Sequence, residues 1–193
     1  NNTFATSLLR FGTGDIYDAA AADVNGDGKA DMITTGNSGV LVSFGVGNGT
    51  FLAPAAYLPT VASGRIVVAD LDNDTDRDLA ILNYNVDQAA ILLNDGIGAF
   101  AVAAPVSPGP GLLDIACADM NRDGIRDIIA ARGSGVTVVP GTGGGAFGTG
   151  QTFPITQVSA LGVATGDWNQ DGVPDVGRRV EVGPTHRRPV VLE

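Results

Sequence analysis

Residues 23–31 read DVNGDGKAD, and the same nine-residue form returns as DLDNDTDRD at 70–78, DMNRDGIRD at 119–127 and DWNQDGVPD at 167–175. Loop positions 1, 3, 5 and 9 carry oxygen side chains in every copy. They are Asp23, Asn25, Asp27 and Asp31; Asp70, Asp72, Asp74 and Asp78; Asp119, Asn121, Asp123 and Asp127; and Asp167, Asn169, Asp171 and Asp175. Oxygen ligands at that density suit a hard cation such as Ca²⁺, which takes six to eight of them in flexible geometry. One such loop would be a weak signal. Four in register, with first aspartates 47, 49 and 48 residues apart, mark a repeat architecture.

Working outward from the loops, each is entered by an apolar stretch ending in a small residue: Ala22, Ala69, Ala118 and Gly166. Small residues there suit a strand packed close to a crowded axis. These stretches predict first strands at 16–22, 64–69, 113–118 and 161–166. Second strands are predicted after the loops at 32–35, 79–83, 128–131 and 176–180, and third strands at 40–44, 89–93, 136–139 and 189–192. A glycine-rich turn then delivers a phenylalanine, as GNGTF at 47–51, GIGAF at 96–100 and GGGAF at 143–147. That places a fourth strand near Phe51, Phe100 and Phe147.

Four short strands in about 48 residues is the measure of one propeller blade. The expected fold is therefore all-β, a β-propeller of four-stranded antiparallel blades. One domain spans 1–193, with repeats at about 15–62, 63–110, 111–158 and 159–193 together with 1–14. Residues 4–9 read as an orphan fourth strand that could pair beside 189–192 and close a ring, removing two open edges. The alternatives are a stretch of a larger ring and self-association to complete one. The last repeat is the poorest match, because past Asp175 the chain becomes VGRRVEVGPTHRRPVVLE, a degenerate segment at 176–193.

Composition narrows the function. The net charge is −10, and 14 of the 19 aspartates lie in the four loops, while glutamate is absent before Glu181. A merely solvated acidic surface would mix both acids and spread them, and up to four Ca²⁺ would offset most of this charge. The acidity argues against nucleic acid, whose phosphates are bound by lysine and arginine. The uncharged stretch 133–166 is interrupted by glycines, Pro140 and Pro154, so no spanning helix and no membrane insertion are expected. Cys117 is the single cysteine and reads as a small core residue, and His186, the single histidine, reads as a solvated one. Asp15, Asp18, Asp87, Asp95 and Asp114 form no catalytic motif, so no enzyme is expected. Trp168 occupies loop position 2, where Val24, Leu71 and Met120 sit, so inward packing is expected in preference to a sugar-stacking role.

The loop followed by GNGTF and a short strand resembles the FG-GAP and VCBS repeats of extracellular β-propellers, including the head of integrin alpha subunits. The resemblance runs to about Asp175. It implies Ca²⁺ held by the side chains at positions 1, 3, 5 and 9 and by the carbonyl of position 7, which is Lys29, Asp76, Ile125 or Val173. It further implies a secreted or cell-surface, non-enzymatic module that binds a protein or glycan ligand, with an accessory module of a secreted enzyme as the alternative. An EF-hand is excluded because its position 12 needs an acid, and Thr34, Ile81, Ala130 and Arg178 stand there. Dockerin modules open with DVNGDG but place their loops on helices at half this spacing. Loop two departs at Thr75, where the others have Gly28, Gly124 and Gly172, so strain or another path is expected there.

Overall fold

The computed structural model describes residues 14–58, 63–155, 160–180 and 189–192. Among the described residues every regular element is a β-strand and none is a helix. The first sheet takes its strands in sequence order, β1 (Ile16–Ala22), β2 (Asp31–Gly36), β3 (Gly39–Ser43) and β4 (Ala55–Tyr57). The second repeats this with β5 (Ser63–Ala69), β6 (Asp78–Asn83), β7 (Gln88–Asn94) and β8 (Phe100–Val102). In the third, β9 (Leu112–Ala118), β10 (Asp127–Arg132) and β11 (Gly135–Val139) precede a two-stranded hairpin, β12 (Gly141–Gly143) with β13 (Ala146–Phe147). The outer strand of that sheet is β14 (Gln151–Pro154). The fourth described sheet has three strands, β15 (Ala160–Gly166), β16 (Asp175–Val180) and β17 (Pro189–Leu192). All pairings are antiparallel.

The expected position of the fourth strand needs correction in two repeats. Phe51 forms only an isolated bridge with Gly45, and the outer strand begins later, at Ala55. Phe147 pairs with Gly141 inside the small β12–β13 hairpin, and the outer strand begins at Gln151. Only Phe100 starts its strand directly, opposite Asn94. The physical reason is common to all three: the glycine turn folds the phenylalanine back onto the end of the third strand before the chain reaches the sheet edge. The proposed strand at 4–9 lies outside the described residues.

The second strands of the two inner sheets, β6 and β10, are apolar at successive positions because both faces of those sheets are covered. In β6, Leu79 and Ile81 pack with Val24, Ile33, Val40 and Val42 of the first sheet, while Ala80 and Leu82 pack with Ile115, Ile128 and Ala130 of the third. A third cluster joins Ala118, Ile129, Ala131 and Val136 to Val163 and Val176 of the fourth. Each fully buried valine, leucine or isoleucine among them contributes about 1.5–3 kcal/mol, so the three inter-sheet layers are the main source of stability.

The sheets meet successively through their first strands, β1 on β5, β5 on β9 and β9 on β15. This is the blade stacking of a propeller. No closed ring is found among the described residues. Every first strand shifts register near its start, as between Ile16 and Asp18 or Ser63 and Ile66, and such bulges increase local twist. Among the described residues, no helix is long and apolar enough to cross a membrane.

Candidate metal centre

Each acidic loop joins the first and second strands of its sheet, so all four lie at the same end of the stacked blades. Within a loop the side chains at positions 1, 3 and 5 fold the backbone around themselves. Position 1 accepts the N–H of position 6 through one carboxylate oxygen, at 2.7 Å for Asp23 with Gly28, 3.0 Å for Asp70 with Thr75, and 2.9 Å for Asp119 with Gly124 and Asp167 with Gly172. Position 3 accepts from position 5, as Asn25 does from the Asp27 N–H and Asp72 from that of Asp74; Asn121 and Asn169 repeat it with Asp123 and Asp171. Position 5 accepts from position 7, which fixes the peptides at Lys29, Asp76, Ile125 and Val173. These local side-chain bonds are turn chemistry. They also draw the oxygens to one side of a tight coil.

Position 9 is different in kind. Asp31, Asp78, Asp127 and Asp175 are buried at the first residue of the second strand. One oxygen of each accepts the N–H of position 2, at 2.9 Å from Val24, 2.7 Å from Leu71, 2.8 Å from Met120 and 2.8 Å from Trp168. In the first three loops the other oxygen accepts an N–H from just beyond or at the end of the third strand, that of Gly45, Asn94 or Gly141. One carboxylate thus ties loop, second strand and third strand together. Gly45 has to be glycine, since a Cβ there would meet the Ala30 carbonyl oxygen at 2.1 Å. In the second sheet Asn94 replaces that glycine, and its side-chain amide donates to the Val24 carbonyl of the neighbouring loop at 2.7 Å.

The donor set of loop two suits a hard divalent cation. Oxygens of Asp70, Asp72 and Asp78 lie within 4.8 Å of one another. Ligands on opposite sides of a Ca²⁺ at 2.3–2.6 Å are at most about 5 Å apart, so this spread is that of one coordination shell. Burial pushes the Asp78 carboxyl up to about 6, against two backbone hydrogen bonds that hold it down. Burial and the neighbouring Asp74 likewise raise Asp72. Crowded, partly desolvated carboxylates are what a cation relieves. The carboxylate of Asp76 lies beside the Gly96 turn, where a Cβ on that glycine would meet it at 2.5 Å. In loop one, Lys29 donates to Asp27 at 2.9 Å and holds that carboxyl below its ordinary range. A cation there shares the Asp27 carboxylate with the Lys29 ammonium or displaces it.

Loop two follows the same path as the others and does not adopt another one. Thr75 has φ 81°, beside 78°, 86° and 81° for Gly28, Gly124 and Gly172. The expected departure is therefore strain in a β-branched residue held at positive φ.

Three features escaped the sequence pattern. Gly45, Asn94 and Gly141 complete the position 9 staple, and their signal was a residue 14 or 16 places after that aspartate. Asp18 and Asp114 seemed to belong to no motif. Each accepts a backbone N–H of the next first strand, Ile66 at 2.9 Å and Val163 at 3.0 Å, so they stitch blades at the axis. Both stand five residues before a loop's first aspartate, which was the legible sign. Trp168 is half exposed, against the expected inward packing, because no further sheet covers that face among the described residues.

Comparison with known proteins agrees with this geometry. The chain has TM-score 0.56 and 18% identity to a lectin of Agrocybe aegerita described for recognition of non-reducing terminal N-acetylglucosamine, over 89% of this chain and 50% of that one. It has TM-score 0.50 and 21% identity to part of the Photorhabdus luminescens Tc holotoxin pore, over 98% of this chain and 10% of that one. For the V. cholerae biofilm matrix protein Bap1 the values are 0.48 and 22%, over 95% and 32%. The chain therefore spans half or less of the length of these proteins. No curated protein sequence matches it significantly. The FG-GAP-like repeat matches three times, over residues 23–81, 70–130 and 119–177, each match running from one acidic loop through the next. The chain belongs to the FG-GAP-like repeat family.

Proposed function

We propose that this chain is a non-catalytic binding module, a Ca²⁺-stabilised β-propeller that engages a glycan or protein ligand outside the cell. The observation that carries the reading is the commitment of the acidic residues. Four loops carry oxygen side chains between the first and second strands, loop two bringing three carboxylates together, and the carboxylates of Asp18 and Asp114 are occupied by backbone N–H groups. Burial pushes the Cys117 thiol up to about 12, which leaves no thiolate nucleophile at neutral pH. The side chains of the loops and the carbonyls of Lys29, Asp76, Ile125 and Val173 would hold the ions. The metal would supply charge neutralisation and crosslinking of the loop coil, and the chain's own residues position each oxygen. The fold shared with a lectin makes glycans the first ligand class to test.

Calcium titration followed by thermal unfolding tests the metal role. A ligand bound only by the folded state at 100 times its Kd adds about 2.7 kcal/mol per site. The expected result is a melting temperature several degrees higher in Ca²⁺ than in EDTA. Equal melting temperatures would remove the structural-calcium reading. A glycan and matrix-protein array in Ca²⁺ tests the binding role, and hydrolysis of any arrayed glycan by this chain would overturn the non-catalytic reading.

A further inference from the structure

We infer that Asn94 is a positioning residue that couples the first two acidic loops, so that a Ca²⁺ ion in either one raises the affinity of the other, an inference that rests on the metal-binding reading above. Asn94 ends the third strand of the second sheet and is 5% exposed. Its backbone N–H donates to Asp78, position 9 of loop two, at 2.8 Å. Its side-chain amide donates to two carbonyls, that of Val24 in loop one at 2.7 Å and that of Arg77 in loop two at 3.1 Å. The amide oxygen accepts the Gly98 N–H at 3.2 Å. Turning the amide over would set its oxygen against both carbonyls, so the network itself fixes which end faces loop one.

These bonds close an unbroken path between the two blades. Asp31, position 9 of loop one, accepts the Val24 N–H at 2.9 Å, and the Val24 carbonyl accepts from Asn94. Asn94 donates onward to Asp78, whose other oxygen accepts the Leu71 N–H at 2.7 Å. The turn after Asn94 is a second shared wall. A Cβ at Gly98 would meet the Asn25 Cβ at 3.3 Å, and one at Gly96 would meet the Asp76 carboxylate at 2.5 Å. One buried side chain and one turn therefore touch both loops at once. The next interface is built differently: Gly141 takes the place of Asn94 and has no side chain, and a backbone N–H of Gly144 reaches the Asp72 carbonyl at 3.2 Å.

Ion binding draws the loop oxygens together and fixes the peptides between them. When Asp78 is held, the Asn94 peptide it anchors is held too, and with it the Val24 carbonyl and the turn against Asn25. The first ion thus removes part of the ordering cost of the second loop, which is positive coupling, and linkage makes it reciprocal. Repulsion between the ions does not cancel this. Loop two carries five aspartates and one arginine, so a divalent cation leaves it still negative.

The experiment titrates the full, isotope-labelled chain with CaCl₂ and follows amide resonances that report single loops. They are Gly28 for loop one, Thr75 for loop two and Gly124 for loop three, each donating to the first aspartate of its own loop. Asp27→Ala disables loop one. The expected result is a loss of loop-two affinity of about fivefold or more in that variant. In the Asn94→Gly background, which keeps the N–H to Asp78 and deletes the reach to Val24, the same substitution should leave loop-two affinity within about twofold. A side chain that merely supported the fold would weaken the loops without abolishing this dependence. Dispersion of the amide spectrum checks folding, and Asn94→Ser replaces the glycine variant if that one does not fold. The coupling is overturned if Asp27→Ala leaves loop-two affinity unchanged in the parent chain, or lowers it equally with and without the Asn94 side chain. An equal loss at loop three would mark general destabilisation and overturn it too. Shifts at Thr75 with none at Gly28 would overturn the coupling, since loop one then takes no ion, and would leave Ca²⁺ in loop two standing. No response at any of the three amides would overturn the metal-binding reading itself.

Discussion

Replacing Thr75 with glycine should stabilise the protein, although it removes atoms and makes no new contact. Thr75 sits at φ 81° in the sharpest turn of loop two, the conformation that Gly28, Gly124 and Gly172 adopt in the other loops. Holding a β-branched residue in that region costs on the order of 1–3 kcal/mol. Glycine adds back roughly 0.5–1 kcal/mol of unfolded-state entropy, so Thr75→Gly should gain about 1 kcal/mol net. The mirror substitution, Gly124→Thr, should lose a similar amount. A Cβ at Gly124 meets nothing within 4 Å, so its cost isolates backbone conformation from collision. For a chain of 150–250 residues, 1 kcal/mol moves the melting temperature by about 2–4 °C. Calorimetric scans in EDTA keep metal affinity out of the comparison. A Thr75→Gly protein that melts at or below the parent temperature would refute the strain argument.

The position 9 staple and the acidity of loop two give two further expectations. Asp127 accepts the Met120 N–H at 2.8 Å and the Gly141 N–H at 2.9 Å. Asp127→Asn turns an amide group toward one of those donors and should cost about 1–3 kcal/mol in urea unfolding; a loss under about 0.5 kcal/mol would show that the two bonds contribute little. Asp78, with its carboxyl at about 6 against about 3.9 for an ordinary aspartate, binds a proton more readily in the folded chain. That contribution to metal-free stability is complete below about pH 4 and is lost as pH rises through about 6. Ca²⁺ competes for the same oxygens, so the gain in melting temperature on adding Ca²⁺ should be larger at pH 7.5 than at pH 5.5. A gain independent of pH across that range would contradict the placement of Asp78 in the site.

Much of the blade was legible because its instructions are local. The first strand of repeat one was expected at 16–22, as found, and the other first and second strands within a residue or two, because each is bracketed by an acidic turn. Runs such as DLAILN read correctly as strands apolar at successive positions, and the structure shows why, with Leu79 and Ala80 serving opposite inter-sheet layers. The outer strands were less legible. Phe51 and Phe147 look like strand residues, but they fold back onto Gly45 and Gly141, and the edge strand begins only after the chain has turned again. Thr75 was seen as an anomaly, yet whether it bent the loop or strained within it was decided by the hydrogen bonds of Asp70.

The sequence by itself determined the four loops, their ligand types, the period and the strand content. All of these follow from turn chemistry within nine residues and from the spacing of apolar side chains along single strands. Tertiary structure alone decided what the buried aspartates hold, and that oxygens of Asp70, Asp72 and Asp78 lie within 4.8 Å of one another. It also decided which position 2 side chain stays open. Asp31 reaches a partner 14 residues away, and Asn94 reaches a carbonyl 70 residues away. Trp168 is half exposed because no following sheet covers its face among the described residues. Burial and close approach belong to pairs of segments, and a single segment does not encode its neighbour.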